Sequence, residues 1–144
     1  MKLLEFLVVA SNFSAVAAQA GPPVAITFKN LNATETANYT VENVNQSSTE
    51  RDASPKPAKD VKPLSSNTYA VSGRLSPDAT TATVQYVVGR KQCSFGTVYV
   101  NTTSTGGTLV RNATATPSNG ATCAARITSR NAMTNAWTVE FTMK

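Results

Sequence analysis

The amino-acid sequence predicts an all-β protein: a two-sheet antiparallel β-sandwich, immunoglobulin-like or jelly-roll-like, with about eight short strands and one disulfide. Three observations predict this class. Beyond residue 20 the chain is rich in Thr, Val, Ala, Asn and Ser, and it divides into short runs in which apolar and polar residues alternate. Turn-forming residues separate the runs, and the two cysteines stand near the starts of two of them. Because alternation gives each strand one apolar face, two sheets must pack those faces together.

The first half of the chain contains three such runs. Residues 24–28 alternate cleanly and predict the first strand, residues 39–44 predict the second, and residues 69–75 predict the third. Residues 46–67 are rich in proline, serine and lysine and lack strand character, so we expect a loop or a partly ordered crossover there. No apolar period of 3.6 residues persists after residue 20, so we expect no substantial helix.

The second half carries the clearer strands and turns. Ser76-Pro77-Asp78 predicts a turn, because proline presets the backbone torsion of the second turn position. Gly106-Gly107 and Ser118-Asn119-Gly120 predict hairpin turns, since glycine and asparagine tolerate the positive φ angles of tight turns. The predicted strands are residues 81–88, 95–100, 108–116, 121–128 and 137–143.

Residues 1–20 differ in kind from the rest and predict a secretory signal peptide. A lysine follows the first methionine, an apolar run covers residues 3–10, and Ala18-Gln19-Ala20 places small residues at the usual cleavage spacing. The apolar run is far shorter than the ~20 residues that a membrane-spanning helix needs. We therefore expect a single β-sandwich domain, residues 21–144, in a secreted protein that works outside the cell or in the periplasm. Retention of the leader is the alternative.

The two cysteines, Cys93 and Cys123, predict a disulfide. Two thiols in an exported chain are expected to pair in an oxidising compartment. The alternative is a nucleophilic Cys93 whose pKa is lowered by Arg90 and Lys91. That interpretation lacks a histidine base, and it leaves Cys123 without a role.

The composition argues against catalysis. The chain contains no histidine, which removes Ser-His-Asp and Cys-His arrangements and the commonest metal ligand. None of its eight acidic residues stands in an apolar stretch with a second carboxylate two to four positions away. The sequence also lacks a phosphate-binding glycine loop and a metal-ligand cluster. We therefore expect no catalytic residues, no cofactor and no bound metal, and a protein that is not an enzyme.

The net charge of +5 is moderate, and it falls short of what nucleic-acid binding requires. Most cations are scattered singly, with two exceptions. Arg90 and Lys91 lie at the expected tip of the hairpin between residues 88 and 95, and Lys56, Lys59 and Lys62 lie in the proline-rich stretch. These five residues are candidates for a contact patch, although solvated loop charges would show the same pattern.

These observations favour a secreted, non-enzymatic β-sandwich that binds an unknown protein, a glycan or an anionic cell surface. Two alternatives remain open. The protein is a structural subunit of an extracellular filament or coat, a homo-oligomer in which strand edges pair between copies, or it is a membrane-active toxin or effector.

Overall fold

The computed structural model describes residues 19–144, and it has the expected sandwich of two sheets. The predicted signal peptide, apart from its last two residues, lies outside the described residues. Ten strands are present in this range, and two of them are only two residues long. The strands are β1 (Val24–Asn30), β2 (Ala37–Thr40), β3 (Ala53–Ser54), β4 (Asp60–Val61), β5 (Ser66–Val71), β6 (Ala79–Val88), β7 (Lys91–Asn101), β8 (Leu109–Ser118), β9 (Cys123–Arg130) and β10 (Trp137–Met143).

Each sheet contains five strands. Sheet I has the order β3-β5-β1-β10-β9, and sheet II has the order β4-β2-β6-β7-β8. Neighbouring strands run antiparallel except β1 and β10, which pair in parallel with Val24 opposite Trp137. The all-β sandwich is therefore confirmed, while its immunoglobulin-like or jelly-roll-like subtype stays a prediction.

The core lies between the two sheets and is built from the alternating residues. Strands β1 and β10 bury every second side chain, as their period of two predicts. Aromatic rings dominate the centre: Phe28 stacks on Tyr86, and Phe95 stacks on Phe141 with ring centroids 4.7 Å apart. Since all four tyrosines and Trp137 are buried, they pack the core and offer no stacking platform on the surface.

The predicted disulfide between Cys93 and Cys123 is confirmed, with Cα atoms 5.8 Å apart. Cys93 belongs to β7 of sheet II and Cys123 to β9 of sheet I, so the bond joins the two sheets. It lies on the side of the sandwich where β8 and β9 form the sheet edges. There the sheets meet through small or partly buried side chains such as Ala113, Ala115 and Ala125.

The expectation of no substantial helix is wrong. Helix α1 covers Val44–Asp52, and the second strand ends at Thr40, short of the predicted residue 44. Asn43 caps the helix by accepting a hydrogen bond from the Gln46 N–H, and the Gln46 side chain accepts one in return from the Glu42 N–H at 2.6 Å. This arrangement resembles a capping box, except that the Gln46 side chain binds the N–H of the residue before the cap. The helix escaped detection because it has no apolar stripe, and its one aliphatic side chain longer than alanine, Val44, is 81% exposed.

The proline-rich stretch is also more ordered than expected. Residues 46–67 contain most of α1, the short strands β3 and β4, and the start of β5. Strand β3 pairs with β5 in sheet I, and β4 pairs with β2 in sheet II. The stretch is therefore a crossover between sheets that places a strand at the edge of each. The crossover was one of the two expectations for this stretch, and its two strands were not predicted because they are too short to show alternation.

One strand boundary and two turns also differ from the prediction. The third predicted strand ends at Val71, and Leu75 stands almost fully exposed in the following loop. The Gly106-Gly107 pair closes a longer connection that contains a short 3₁₀ turn, Thr103–Thr105, in place of a two-residue hairpin. Asn119 and Gly120 do adopt positive φ, but β8 and β9 do not pair, so this turn carries the chain from sheet II to sheet I.

Between residues 19 and 144 no helix has the length and apolar character that crossing a bilayer requires.

Candidate functional site

A polar groove crosses the outer face of sheet II. It has a volume of about 470 Å³ and lies over the middle of β6, β7 and β8. We call it the threonine groove; the residues that line it are Asn45, Thr81, Ala82, Thr83, Gly96, Thr97, Val98, Asn112 and Thr114. Hydroxyl and amide groups dominate this set, and each can both donate and accept hydrogen bonds.

The floor of the groove is low because of Gly96. The strand register places Gly96 of β7 between Thr83 of β6 and Thr114 of β8. Since glycine has no side chain, the middle strand leaves a gap between the two threonines. A Cβ added at Gly96 would stand 3.0 Å from the Thr114 Oγ1, so any larger residue would fill the gap.

Helix α1 forms the wall of the groove, and polar contacts hold it there. Strand β2 ends opposite Gln85, which leaves the earlier part of the β6 edge without a strand partner on that side. The Thr49 Oγ1 accepts the Thr83 N–H at 2.8 Å, and the Gln46 Nε2 donates to the Gln85 Oε1 at 3.3 Å. The buried face of α1 therefore serves as a side-chain partner for the β6 edge and satisfies the Thr83 N–H there.

A second depression, which we call the arginine cleft, adjoins the groove. It has a volume of about 260 Å³ and shares Asn45, Thr81 and Thr83 with the threonine groove. The end of α1 and the loop between β5 and β6 supply its other walls, including Arg51, Asp52, Arg74, Ser48 and Ser76. The groove and the cleft are thus adjacent parts of one polar surface, which combines hydroxyl and amide groups with charged groups at one end.

Asp52 organises the charged end. The Arg51 Nε and Nη2 donate to the two Asp52 carboxylate oxygens at 2.9 and 3.1 Å, and the Arg74 Nε forms an ion pair with the same carboxylate at 2.8 Å. The Arg51 hydrogen bonds, together with the nearby positive charges, hold the pKa of Asp52 below its usual 3.8, although burial opposes this effect. Asp52 is therefore an ionised anchor for two guanidinium groups at neutral pH.

The chemistry of this surface suits binding better than bond cleavage. A general acid at neutral pH needs a raised pKa, whereas that of Asp52 is lowered. Within residues 19–144, no three Cys, Asp or Glu side chains converge in a way that could hold a metal ion. The surface supplies hydrogen-bond donors and acceptors, two guanidinium groups and a shallow trough.

The five cations of the predicted contact patch do not converge on this surface. Arg90 is exposed at the tip of the β6–β7 hairpin, with Lys91 half-buried beside it. Lys59 and Lys62 are exposed on either side of β4, at the same end of sheet II but two to three strand spacings away, or roughly 10–14 Å. The Lys56 Nζ instead donates to the carbonyls of Glu50 and Arg51 at the end of α1. Their role as a contact patch stays a prediction.

The sequence analysis did not identify the groove or the cleft. The outward positions of β6 and β8 are rich in threonine, and Gly96 interrupts an otherwise regular strand, so a part of the signal was present. The capping pattern at Asn43 and Gln46 could also have revealed the wall. The pairing of Arg74 with Asp52 has no local signal, since 22 positions separate them in the chain.

No protein-family model matches this chain, and no curated protein matches it either.

Proposed function

We propose that the protein is a secreted, non-enzymatic β-sandwich that binds a glycan along the threonine groove. The observation that carries this proposal is the composition of the groove, where threonine and asparagine side chains from three strands and one helix surround a glycine trough. A saccharide presents a dense set of hydroxyl groups, which such side chains match by reciprocal hydrogen bonding. The groove, at about 470 Å³, falls in the size range of ligand sites, ~300–1,000 Å³, and the adjoining cleft adds a smaller depression of about 260 Å³.

Secretion and the absence of catalysis are further parts of this proposal. The disulfide between Cys93 and Cys123 supports an oxidising destination, and the leader-like pattern of residues 1–20 agrees with it. The lack of histidine, together with the ionised state of the carboxylate in the cleft, supports a binding role.

A glycan array followed by calorimetry on the saccharides that bind will test the proposal. The Gly96→Val variant should lose at least about ten-fold in affinity, because its side chain fills the trough. A β-branched residue suits a strand, so the fold should persist and should show an unchanged circular dichroism spectrum. Gln92→Val, on the same strand and face but outside the groove, is the matched control.

Either of two outcomes would refute glycan binding in the groove. One is an array without any bound saccharide. The other is equal affinity of the wild-type protein and a correctly folded Gly96→Val variant.

A second candidate function is self-association through a sheet edge. Strand β8 is ten residues long and is hydrogen-bonded on one side only, to β7, and it carries a single charged residue, Arg111. Long edges with few charges are suited to pairing with another strand. This supports the filament or coat subunit as the alternative, and sedimentation velocity over a concentration series will test it. A single monomeric species at every concentration would exclude it.

A further inference from the structure

The arginine cleft contains more cationic hydrogen-bonding capacity than its own carboxylate uses. The Asp52 side chain is only 10% exposed, whereas the side chains of Arg51 and Arg74 are 58% and 61% exposed. The carboxylate is therefore held beneath two guanidinium groups that face solvent. Such an arrangement orients both arginines and reduces the side-chain entropy that a ligand would otherwise have to remove.

Part of each guanidinium group remains available. Arg51 uses its Nε and Nη2 on Asp52, and Arg74 uses its Nε on Asp52 and its Nη2 on the Arg51 carbonyl. Within the described part of the chain, the Nη1 of neither arginine donates to a protein group. The two cations also outnumber the one anion, and Lys56 at the end of α1 adds positive charge nearby. The cleft thus has an excess of positive charge, and some of its guanidinium N–H donors remain available to a ligand.

We propose that the arginine cleft binds the acidic group of an anionic glycan, a carboxylate or a sulfate ester, whose neighbouring sugar residues lie in the threonine groove. Guanidinium groups bind both oxyanions through paired, charge-assisted hydrogen bonds. The shared residues Asn45, Thr81 and Thr83 connect the two depressions, so one oligosaccharide can occupy both. This inference rests on the proposed glycan binding and specifies its ligand class.

Calorimetry with matched saccharides will test the inference. The probes are an oligogalacturonate, its fully methyl-esterified form, a sulfated galactan oligosaccharide and a neutral dextran oligosaccharide. We expect the wild-type protein to bind at least one of the two anionic probes about ten-fold more tightly than the neutral ones. The ester is the decisive comparison for the carboxylate, because it keeps the sugar chain and removes the charge.

The variant Arg74→Ala should weaken binding of the anionic probe by about ten-fold or more and leave the affinity for the neutral probes unchanged. Arg74→Lys keeps the charge without the planar fork, so it should restore part of the affinity. Arg130→Ala is the matched control: it removes one exposed cation from the end of β9 in sheet I, and its affinity should stay within about two-fold of wild type. Thermal unfolding of each variant confirms that it is folded.

The outcomes separate this inference from the proposed function. If the ester and dextran bind as well as the anionic probes while Gly96→Val still abolishes binding, the groove binds glycans and the acidic specificity is wrong. If Arg130→Ala weakens binding as much as Arg74→Ala, general charge attraction explains the effect and the cleft has no special role. If none of the four probes and no arrayed saccharide binds, the proposed function fails and this inference fails with it.

Discussion

Removal of the disulfide should cost this protein a large part of its stability. The two cysteines are 30 positions apart, and closing a loop of that length in the unfolded chain is worth about 3.5 kcal/mol on the chain-entropy model. A domain of this size gains ~2.1 cal/mol/K of entropy per residue on unfolding, so the melting temperature should fall by about 13 °C. The double variant Cys93→Ala/Cys123→Ala, compared with wild type by calorimetry and urea unfolding, measures this cost.

The reduced wild-type protein serves as a second measurement. It keeps both sulfur atoms, whereas the double variant also removes volume at Cys93, which is fully buried. Reduction should therefore destabilise the protein slightly less than the double substitution does, and reductant should have no effect on the double variant.

The position of the bond also predicts where the structure loosens first. The disulfide ties β7 to β9 on the side where β8 and β9 meet through partly buried alanines, whereas β7 itself also packs on sheet I through Phe95. Amide exchange in β8 and β9 should rise more on reduction than exchange in β1 and β10. A loss of stability below about 1 kcal/mol, or exchange that rises uniformly, would refute this reasoning.

Two more predictions follow from buried polar contacts. Thr97→Val should lower the free energy of unfolding by about 1–3 kcal/mol, because it leaves the Trp137 indole N–H, now 3.0 Å from the Thr97 Oγ1, unpaired in the core. Exposed Thr81→Val is the control in urea unfolding, and equal losses for both variants would contradict the prediction. At alkaline pH, burial raises the pKa of Tyr39 to about 12 and also raises the pKa values of Tyr69 and Tyr86. The unfolded chain releases these protons near its ordinary pKa of 10.0, so stability should be fully present below about pH 10 and should fall as the pH rises through the folded-state values. Absorbance at the tyrosinate band should then rise together with unfolding followed by circular dichroism, and ionisation of all tyrosines at pH 10 in a folded protein would contradict this.

The regular strands were predictable because their signal is local. Residues 24–28 and 137–143 alternate along one strand, and the structure buries the expected face of each. The sequence does not show that these two runs, at opposite ends of the domain, lie side by side in parallel. Adjacent placement depends on the packing of all ten strands, which alternation within one strand does not encode.

Helix α1 and the adjoining surface illustrate the opposite case. An amphipathic period would have indicated the helix, but α1 is attached to the sheet by hydrogen bonds and not by an apolar stripe: Gln46 donates to Gln85, and Thr49 accepts from the Thr83 N–H. The candidate site then combines α1, three strands and the β5–β6 loop. Its two arginines meet at Asp52 only because β3 and β5 pair in sheet I.

By itself, then, the sequence determined the class of the fold, the faces of its long strands and the pairing of its only two cysteines, because periodicity and the oxidation chemistry of two thiols need no knowledge of the other segments. Only the tertiary structure decided that the disulfide joins the sheets, that the Asn119-Gly120 turn passes between them and that a glycine trough ends at a pair of arginines. These features depend on contacts between residues far apart in the chain, which form only when both sheets are in place.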